Sequence, residues 1–267
     1  MVKTRNRYEL DLMRKSGEIS GKALKKVLVN AKAGATGLEL DKIAEKVIKG
    51  SGGGLSFKTV KGYKWTSCVT LNEQIVHGIP NEKEFKEGDI VSIDLGTLYK
   101  GWHTDCAWSV LVPTRHPEFI SGSSVKEIPK QVRNDREKFL NVGEEALWLG
   151  IKQAVHGNHV GDISDAIQKK VEGGGYSVVR TLVGHGIGRL LHEDPEVPGY
   201  GEAGKGILLK DGMTLAIEVI YTAGAPDVIL EEDGWTVSSK DGSMAGLFEM
   251  SVIVGRKKAE VLTDWKK

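Results

Sequence analysis

The sequence has little cysteine, no strong excess of charge and no long apolar run. Only two of its 267 residues are cysteines, Cys68 and Cys106, and they form no CxxC pair. This excludes a disulfide framework and a thiolate zinc site, and it is typical of a reducing compartment. The formal net charge of +1 argues against a protein that binds nucleic acid through its phosphates, because such binding needs a basic excess.

The rest of the composition is that of an ordinary globular protein, with 40% apolar and 27% charged residues. No apolar stretch approaches the roughly 20 residues that span a bilayer, and the opening MVKTRNRYELDLMRKSG lacks the apolar core of a signal peptide. We therefore expect a cytoplasmic protein that contacts neither membrane nor nucleic acid directly. A monomer is the simplest assembly to expect.

Two pairs of helices are predicted. Apolar residues recur at helical spacing along residues 10–28. A second helix begins at Thr36 with the capping box T-G-L-E, which ends at Glu39, and stops at the glycines 52–54. In the second half, the pattern predicts a helix from Arg136 to Val155 and another over about 163–171.

A short internal similarity raises the question of a duplication. DKIAEKV at 41–47 and DAIQKKV at 165–171 share Asp, Ile, Lys and Val at matching positions. A match this short fits chance and a true duplication equally well. A duplication would give two related halves, roughly 1–112 and 136–267, of a single domain spanning 1–267. The polar, proline-containing segment 113–135 is predicted to be a loop inserted between them and dispensable for any chemistry.

Two aspartates are predicted to lie on one β-hairpin. Apolar residues alternate around Asp94 in SIDLG, Lys100-Gly101 suits the turn, and the chain returns through Asp105. Such a hairpin brings Asp94 and Asp105 side by side on adjacent strands, and one parity of register places both carboxylates on the same face. Two like charges there are unfavourable without a cation. A lone aspartate usually caps a turn, but for this pair we favour metal binding.

Three further candidate ligands lie in apolar stretches of the second half: His185 in GHGIG, Glu218 in LAIEV and Glu249 in LFEMSVIV. Glycines on both sides of His185 leave its imidazole unshielded. A buried strand glutamate is rare unless it is paired or bound to a metal. The alternatives are a core histidine in a glycine-rich turn and glutamates in salt bridges, and for both glutamates we favour metal binding.

Together the five side chains suit a pair of divalent metal ions. Four acids and an imidazole that converge on one pocket repel one another unless cations offset their charge. This oxygen-rich set suits Mn, Fe(II) or Co better than a structural zinc. Two such ions activate water, so hydrolysis of an amide or ester is the natural reaction class. His192, seven positions after His185, suits a second histidine aimed at the substrate.

Motifs along nearly the whole chain, 113–135 excepted, resemble those of type I methionine aminopeptidases. They are VHGIP (76–80), the IDLG…HTD hairpin, GHGIG, LHEDP, the IE strand and DGWTV (233–237), in the family's order and spacing. The resemblance implies an α+β pita-bread (creatinase/aminopeptidase) fold, with two pseudo-symmetric halves, a central antiparallel sheet and helices on the outside. It also implies removal of the initiator methionine from nascent polypeptides, favoured when the next residue is small.

The resemblance further implies a role for each matching residue. Two divalent metals would be held by Asp94, Asp105, His185, Glu218 and Glu249. Asp105 and Glu249 would bridge them, and Glu218 would also move a proton to the leaving amine.

The same resemblance assigns the substrate contacts. His77 would lie beside the substrate's amino end, and His192 would donate a hydrogen bond to the scissile carbonyl. The methionine pocket would be lined by Tyr63, Cys68 and Trp235, an apolar and aromatic wall suited to a thioether. Plain core packing is the alternative for all three.

Three positions depart from the family pattern: Val219 stands where proline is usual, Met250 where histidine is usual and Leu191 where an aromatic residue is usual. We expect the first to loosen the strand that holds Glu218, the second to remove a hydrogen bond near Glu249 and the third to change the pocket wall. None removes a ligand, so activity is expected to survive with altered rate or selectivity.

Two other functions stay open. Xaa-Pro peptidases share the fold but usually carry an additional N-terminal domain, whereas this sequence opens on the predicted helices. The second alternative is a metal-free binding protein of the same fold that acts at the ribosome or on RNA. Such proteins generally lose metal ligands, whereas this sequence has all five. The ribosome surface is also a candidate partner of the peptidase.

Overall fold

The computed structural model describes residues 2–113 and 129–267. Within these ranges the helices are α1 (Arg7–Leu28), α2 (Gly37–Gly50), α3 (Lys130–Gln153) and α4 (Val160–Gly173). The strands of the first half are β1 (Gly54–Leu55), β2 (Ser67–Leu71), β3 (Gln74–Val76), β4 (Ile90–Tyr99) and β5 (Trp102–Leu111). Those of the second half are β6 (Ser177–Val178), β7 (Gly184–Gly186), β8 (Glu193–Val197), β9 (Thr214–Thr222), β10 (Val228–Leu230), β11 (Val237–Ser239), β12 (Ala245–Ile253) and β13 (Glu260–Val261).

A ten-stranded antiparallel sheet forms the centre of the molecule. Its main path is β1-β4-β5-β12-β9-β7-β8, while β2 pairs with β4, β6 with β9 and β13 with β12. The long strands β4 and β5 come from the first half and β9 and β12 from the second, and β5 pairs with β12 in the middle. A smaller sheet has the order β10-β11-β3.

Both halves repeat the succession of two helices followed by long strands. Helix α1 packs on β4 and β5, and α3 packs on β9 and β12. The buried helix residues join one hydrophobic core with the sheet, for example Leu24 of α1 and Phe139 of α3. The expected α+β architecture, with a central antiparallel sheet and outer helices, is confirmed. In the described part of the chain, no helix is both long and apolar enough to cross a membrane.

The predicted start of α2 is confirmed in detail. The Thr36 hydroxyl accepts a hydrogen bond from Glu39 N at 3.2 Å, and the Glu39 carboxylate accepts one from Thr36 N at 3.1 Å. Two backbone donors that the helix leaves free are thereby satisfied. Helix α1 begins with the same arrangement, built from Asn6 and Glu9.

Helix α3 begins six residues before the predicted Arg136, so the end of the segment 113–135 was wrongly assigned to a loop. Residues 130–135 lack an apolar stripe, and their side chains are exposed. Hydrogen bonds between side chains four residues apart, Gln131 with Asp135 and Arg133 with Glu137, stabilise these first turns of α3 instead. The rest of the predicted loop, 114–128, lies outside the described residues.

The predicted hairpin turn at Lys100-Gly101 is confirmed. Both residues have positive φ, 49° and 81°, which is the conformation of a type I′ turn, whose twist matches that of the flanking strands. The turn sets the register of β4 and β5, in which Asp94 is the partner of Ala107, and Gly96 is the partner of Asp105.

Candidate metal centre

One row of cross-strand partners connects β2, β4, β5, β12 and β9. The successive Cα partners are Cys68, Asp94, Ala107, Glu249 and Glu218. Direct partners in an antiparallel pair have their side chains on the same face. The row therefore points three carboxylates from both halves of the chain to one side of the sheet.

The other two predicted ligands lie one step along the same face. Asp105 is two residues from Ala107 on β5, and strand side chains repeat their face every second residue. His185 on β7 is the partner of Ala216, two residues from Glu218 on β9. All five predicted ligands thus share one face.

The two aspartates are diagonal neighbours on this face and not direct partners. Asp94 is opposite Ala107, and Asp105 is opposite Gly96. The expectation that both carboxylates point to the same side is correct, while their offset by two residues follows from the turn at Lys100.

Three of the five ligands come closest together. Asp105, His185 and Glu249 each offer one ligand atom, and these atoms all lie within 4.8 Å of one another. Asp94 and Glu218 do not belong to this closest group. Both lie close to it, because charge repulsion among Asp94, Asp105, Glu218 and Glu249 contributes to the raised pKa values of Asp94, Glu218 and Glu249.

Burial raises the pKa of all four carboxyls in the cluster, and charge repulsion adds to the rise at Asp94, Glu218 and Glu249. Burial raises the pKa of Asp105 to about 7, and burial together with repulsion from Asp105 raises that of Glu218 to about 8. The pKa values of Asp94 and Glu249 lie well above their ordinary range for the same two reasons. Cations at this place would remove the repulsion and favour the ionised carboxylates.

His185 has the tautomer that a metal ligand needs. Its Nδ1 lies 2.9 Å from the carbonyl oxygen of Gly186, which can only accept, so Nδ1 carries the hydrogen. The Nε2 lone pair is therefore free for a metal ion. Burial, with repulsion from His192, lowers the pKa of His185 to about 4, and the ring is neutral at pH 7.

Two buried carboxylate oxygens point to the same conclusion. Asp94 Oδ1 and Glu249 Oε1 have no hydrogen-bond partner among residues 2–113 and 129–267. A buried polar atom without a partner is costly, and bound cations would satisfy both. The donor set of carboxylates and one neutral imidazole fits divalent metal ions.

A cavity of about 160 Å³ adjoins the cluster. Its lining consists of Phe57, Val60, Tyr63, Cys68, His77, Asp94, Asp105, Leu191, His192 and Trp235. The walls are mainly apolar, and two aspartates of the cluster are part of the lining. All three residues predicted for a methionine pocket line this cavity, as do both predicted substrate histidines. Phe57 and Val60 are additional wall residues that no sequence motif had indicated.

Tyr63 organises one wall of the cavity. Its hydroxyl donates to the Ser67 carbonyl oxygen at 2.9 Å and lies 3.1 Å from Cys68 Sγ. Its ring packs edge-on against Trp235, with 5.1 Å between centroids. Burial raises the pKa of Tyr63 and of Cys68, so the phenol and the thiol both keep their protons.

Both predicted substrate histidines face the cavity. The His192 ring lies 4.4 Å from that of His185. His77 has a φ of 58°, a conformation that is uncommon for a residue with a side chain and that occurs often at functional sites. Burial lowers the pKa of both rings, and repulsion from His192 adds to the effect at His77. Neutral rings retain one N–H donor each.

The three departures from the family pattern differ in position. Leu191 lines the cavity, as expected. Val219 and Met250 are fully buried in the main hydrophobic core, on the strand faces opposite to the ligands. The β9–β12 register runs without a shift through Val219, so the expected loosening of that strand is not seen. Met250 therefore supports β12, the strand that carries Glu249, through its packing in the core.

Three polar residues near the centre were missed by sequence reasoning. Ser251 hydrogen-bonds the backbone of Asp105, and Glu193, next to His192, pairs with Arg5. A serine within a strand and a charge before a helix resemble ordinary surface or capping residues. Only their contacts in three dimensions distinguish them.

Comparison with known proteins agrees with this geometry. A family model described as metallopeptidase family M24 matches residues 11–253. A methionine aminopeptidase of Clostridium perfringens is 40% identical over 263 residues, which cover 98% of this chain and 99% of that protein. A methionine aminopeptidase of Thermotoga maritima has a crystal structure with a TM-score of 0.90, 37% identity, and coverage of 98% and 99%. The prolidase of Pyrococcus furiosus, with a TM-score of 0.70, 20% identity, and coverage of 97% and 65%, shares the fold alone.

The fold and the ligand cluster define the class as metal-dependent peptidases of the pita-bread fold. Within that class, the chain belongs to metallopeptidase family M24 and to its methionine aminopeptidases. It is accordingly a hydrolase. Membership of a metallopeptidase family implies divalent metal ions, and the cluster around Asp105, His185 and Glu249 is the candidate place for them.

Proposed function

We propose that this chain hydrolyses the peptide bond that follows an N-terminal methionine in nascent proteins and peptides. The observation that carries the proposal is the single sheet face that holds all five candidate ligands beside a small apolar cavity. A substrate seated there has its side chain in the cavity and its scissile bond beside the carboxylates.

The proposal assigns two divalent ions, Mn, Fe(II) or Co, to Asp94, Asp105, His185, Glu218 and Glu249. Asp105 and Glu249 would hold the ions from the two central strands of the ligand face. When bound, the ions supply Lewis acidity and lower the pKa of water. The protein holds the ligands on rigid strands, which keeps their positions fixed during the reaction.

Three side chains of the protein then act on the substrate. The neutral His77 ring positions the substrate's amino end. His192 donates a hydrogen bond to the scissile carbonyl oxygen, where negative charge develops in the transition state. Glu218 would take a proton from the attacking water and pass it to the leaving amine.

The cavity provides the selectivity. An unbranched thioether fits an apolar, aromatic-edged space and makes favourable contacts between sulfur and ring edges. Tyr63, Cys68 and Trp235 form this wall, and their protonated or uncharged state keeps it apolar. The proposal includes a preference for a small second residue and a cytoplasmic, monomeric enzyme that acts on chains leaving the ribosome.

Turnover of two peptides tests the proposal. Methionyl-alanyl-serine and an alanyl-prolyl peptide are each incubated with protein that has been stripped of metal and then loaded with Mn or Co. We expect metal-dependent release of methionine and no cleavage of the alanyl-prolyl peptide. Cleavage of the prolyl peptide alone would favour an Xaa-Pro peptidase, and cleavage of neither would favour a metal-free binding protein.

A further inference from the structure

The segment before α1 reaches across the molecule to the loop that carries His192. Arg5 forms an ion pair with Glu193, and only 6% of the Arg5 side chain and 13% of the Glu193 side chain are exposed. Arg5 Nε also lies 3.4 Å from Thr214 Oγ1, and Arg5 N donates to the Gly212 carbonyl oxygen at 2.9 Å. One side chain therefore ties the N-terminal segment to β9 and to the loop.

Glu193 passes this attachment to the loop backbone. Its Oε1 accepts a hydrogen bond from Leu190 N at 3.0 Å, which closes the turn containing Leu191 and His192. Burial alone would raise the pKa of Glu193, but the hydrogen bond from Leu190 and the charge of Arg5 outweigh it, and the pKa is lowered. The carboxylate is thus ionised at neutral pH and binds its partners by charge-assisted hydrogen bonds.

The loop is packed closely around the Arg5 guanidinium. A Cβ on Gly188 would lie 3.1 Å from Glu193 Oε1 and closer still to the Arg5 guanidinium, so a side chain there would force the ion pair to shift. Gly188 O accepts a hydrogen bond from His103 N at 2.7 Å. The buried ring of Trp102 lies beside Arg5 on one side and stacks with Arg189 at 4.3 Å. Besides Arg5, the backbone of His103 and the ring of Trp102 thus also hold the start of this loop.

We propose that Arg5 is a positioning residue for His192, acting through Glu193 and the turn that Glu193 closes. The inference rests on the proposed role of His192 at the scissile carbonyl. A hydrogen bond to developing charge depends steeply on geometry, and a displacement of about 1 Å costs up to 10²-fold in rate. Without Arg5, the buried Glu193 carboxylate has no counter-charge. It would move towards solvent to become hydrated, and the turn that orients His192 would move with it.

The test is a double-mutant cycle with Arg5→Met, His192→Ala and the double variant, measured by kcat on methionyl-alanyl-serine in Mn-loaded protein. We expect Arg5→Met to lower kcat by roughly 10- to 100-fold while the bound metal per protein stays unchanged. In the His192→Ala background, Arg5→Met should have no further effect on kcat. Arg5→Lys, which keeps the charge, should recover most of the activity.

Arg14→Met is the matched control. Arg14 is also an N-terminal arginine that pairs with a distant glutamate, Glu260, but it lies away from the loop, and its loss should leave kcat unchanged. Should Arg5→Met fail to fold, Glu193→Gln tests the same link, because it keeps the shape of the side chain and removes its charge.

Two results separate the inference from the proposed function. If His192→Ala keeps the original kcat, the proposed role of His192 is wrong. If His192→Ala is slow but the effects of the two substitutions multiply, or Arg5→Met keeps the original kcat, then His192 acts as proposed and Arg5 does not position it. A parallel loss of metal would assign Arg5 a general structural role and overturn the inference.

Discussion

Ser109 on β5 and Ser251 on β12 occupy corresponding places on the two strands that join the halves. The Ser251 hydroxyl accepts from Asp105 N and donates to Asp105 O, both at 2.9 Å. The Ser109 hydroxyl makes the same two bonds with Leu247, also at 2.9 Å. Between them the strands pair directly. Two serines thus complete the junction, and one of them holds a candidate metal ligand.

Replacing each serine by alanine separates stability from metal binding. Ser251→Ala and Ser109→Ala both leave buried backbone groups without partners, so each should lower the free energy of unfolding by about 1–3 kcal/mol. Only Ser251→Ala frees the backbone of Asp105. We therefore expect weaker Mn binding, measured by titration calorimetry, in Ser251→Ala alone. Equal metal affinity in the two variants would show that this backbone contact does not matter for the centre.

Asp105→Asn should remove metal-dependent turnover and leave the fold intact. Asparagine lacks the negative charge of this candidate ligand, so we expect kcat to fall by more than about 100-fold, beyond what loss of a group that only contacts a ligand costs. Bound metal, measured by elemental analysis, should fall as well. Near-normal turnover would remove Asp105 from the centre.

Asp41→Ala provides the contrast. Asp41 is also buried, but its Oδ1 accepts hydrogen bonds from Thr66 N and Ser67 N, both at 2.8 Å, and from the Ser67 hydroxyl at 2.9 Å. Asp41→Ala should lower the stability of the metal-free protein, because these buried donors lose their acceptor. Asp105→Asn should not lower it, because it removes one of several charges that repel one another. Urea unfolding of both variants measures the difference.

Without metal, the protein should lose stability between pH 7 and pH 8. The pKa of Glu218 is raised from 4.5 to about 8, and those of Asp94 and Glu249 are also raised well above their ordinary range. In this window the native state keeps protons that the unfolded chain has released, so stability falls as pH rises. Each such proton contributes about 1.4 kcal/mol per pH unit. Histidines with lowered pKa values oppose the effect only weakly, because between pH 7 and pH 8 they are neutral in the native state and mostly neutral in the unfolded chain.

The Mn-loaded protein supplies the control for this pH dependence. Its ligands are deprotonated by the metal, so the fall in stability should disappear or reverse. Urea unfolding is measured at pH 7 and at pH 8, each with Mn and with a chelator, which gives four free energies of unfolding to compare. If the free energy of unfolding without metal does not change between pH 7 and pH 8, the close approach of the carboxyls is contradicted.

Leu191→Phe should narrow the selectivity of the cavity. Leu191 lies in the wall of a space of about 160 Å³, and a phenyl ring takes up more of that space. We expect kcat/KM for an ethionyl peptide to fall more than that for a methionyl peptide, by roughly 10-fold in the ratio, since one methylene in an apolar pocket changes selectivity by 10–200-fold. Leu190→Phe is the control, because Leu190 is 65% exposed and should leave the ratio unchanged. An unaltered ratio in Leu191→Phe would exclude this wall from selectivity.

Much of the fold follows from local patterns in the sequence. The capping box at Thr36 and the positive φ pair at Lys100-Gly101 depend on residue type and near neighbours, and both were predictable. The first turns of α3 were not, because charged pairs four residues apart hold them without an apolar stripe. The offset between Asp94 and Asp105 also required the register, which one residue more or less in the turn would change.

The sequence by itself determined which side chains are available: four carboxylates and a histidine in apolar strands, whose burial is tolerable only if something offsets their charge. Tertiary structure alone decided that β5 and β12 meet, that Asp105, His185 and Glu249 come within 4.8 Å, and that Arg5 reaches Glu193. These contacts join residues far apart in the chain. Their geometry depends on the packing of all the strands between them, which no local pattern encodes.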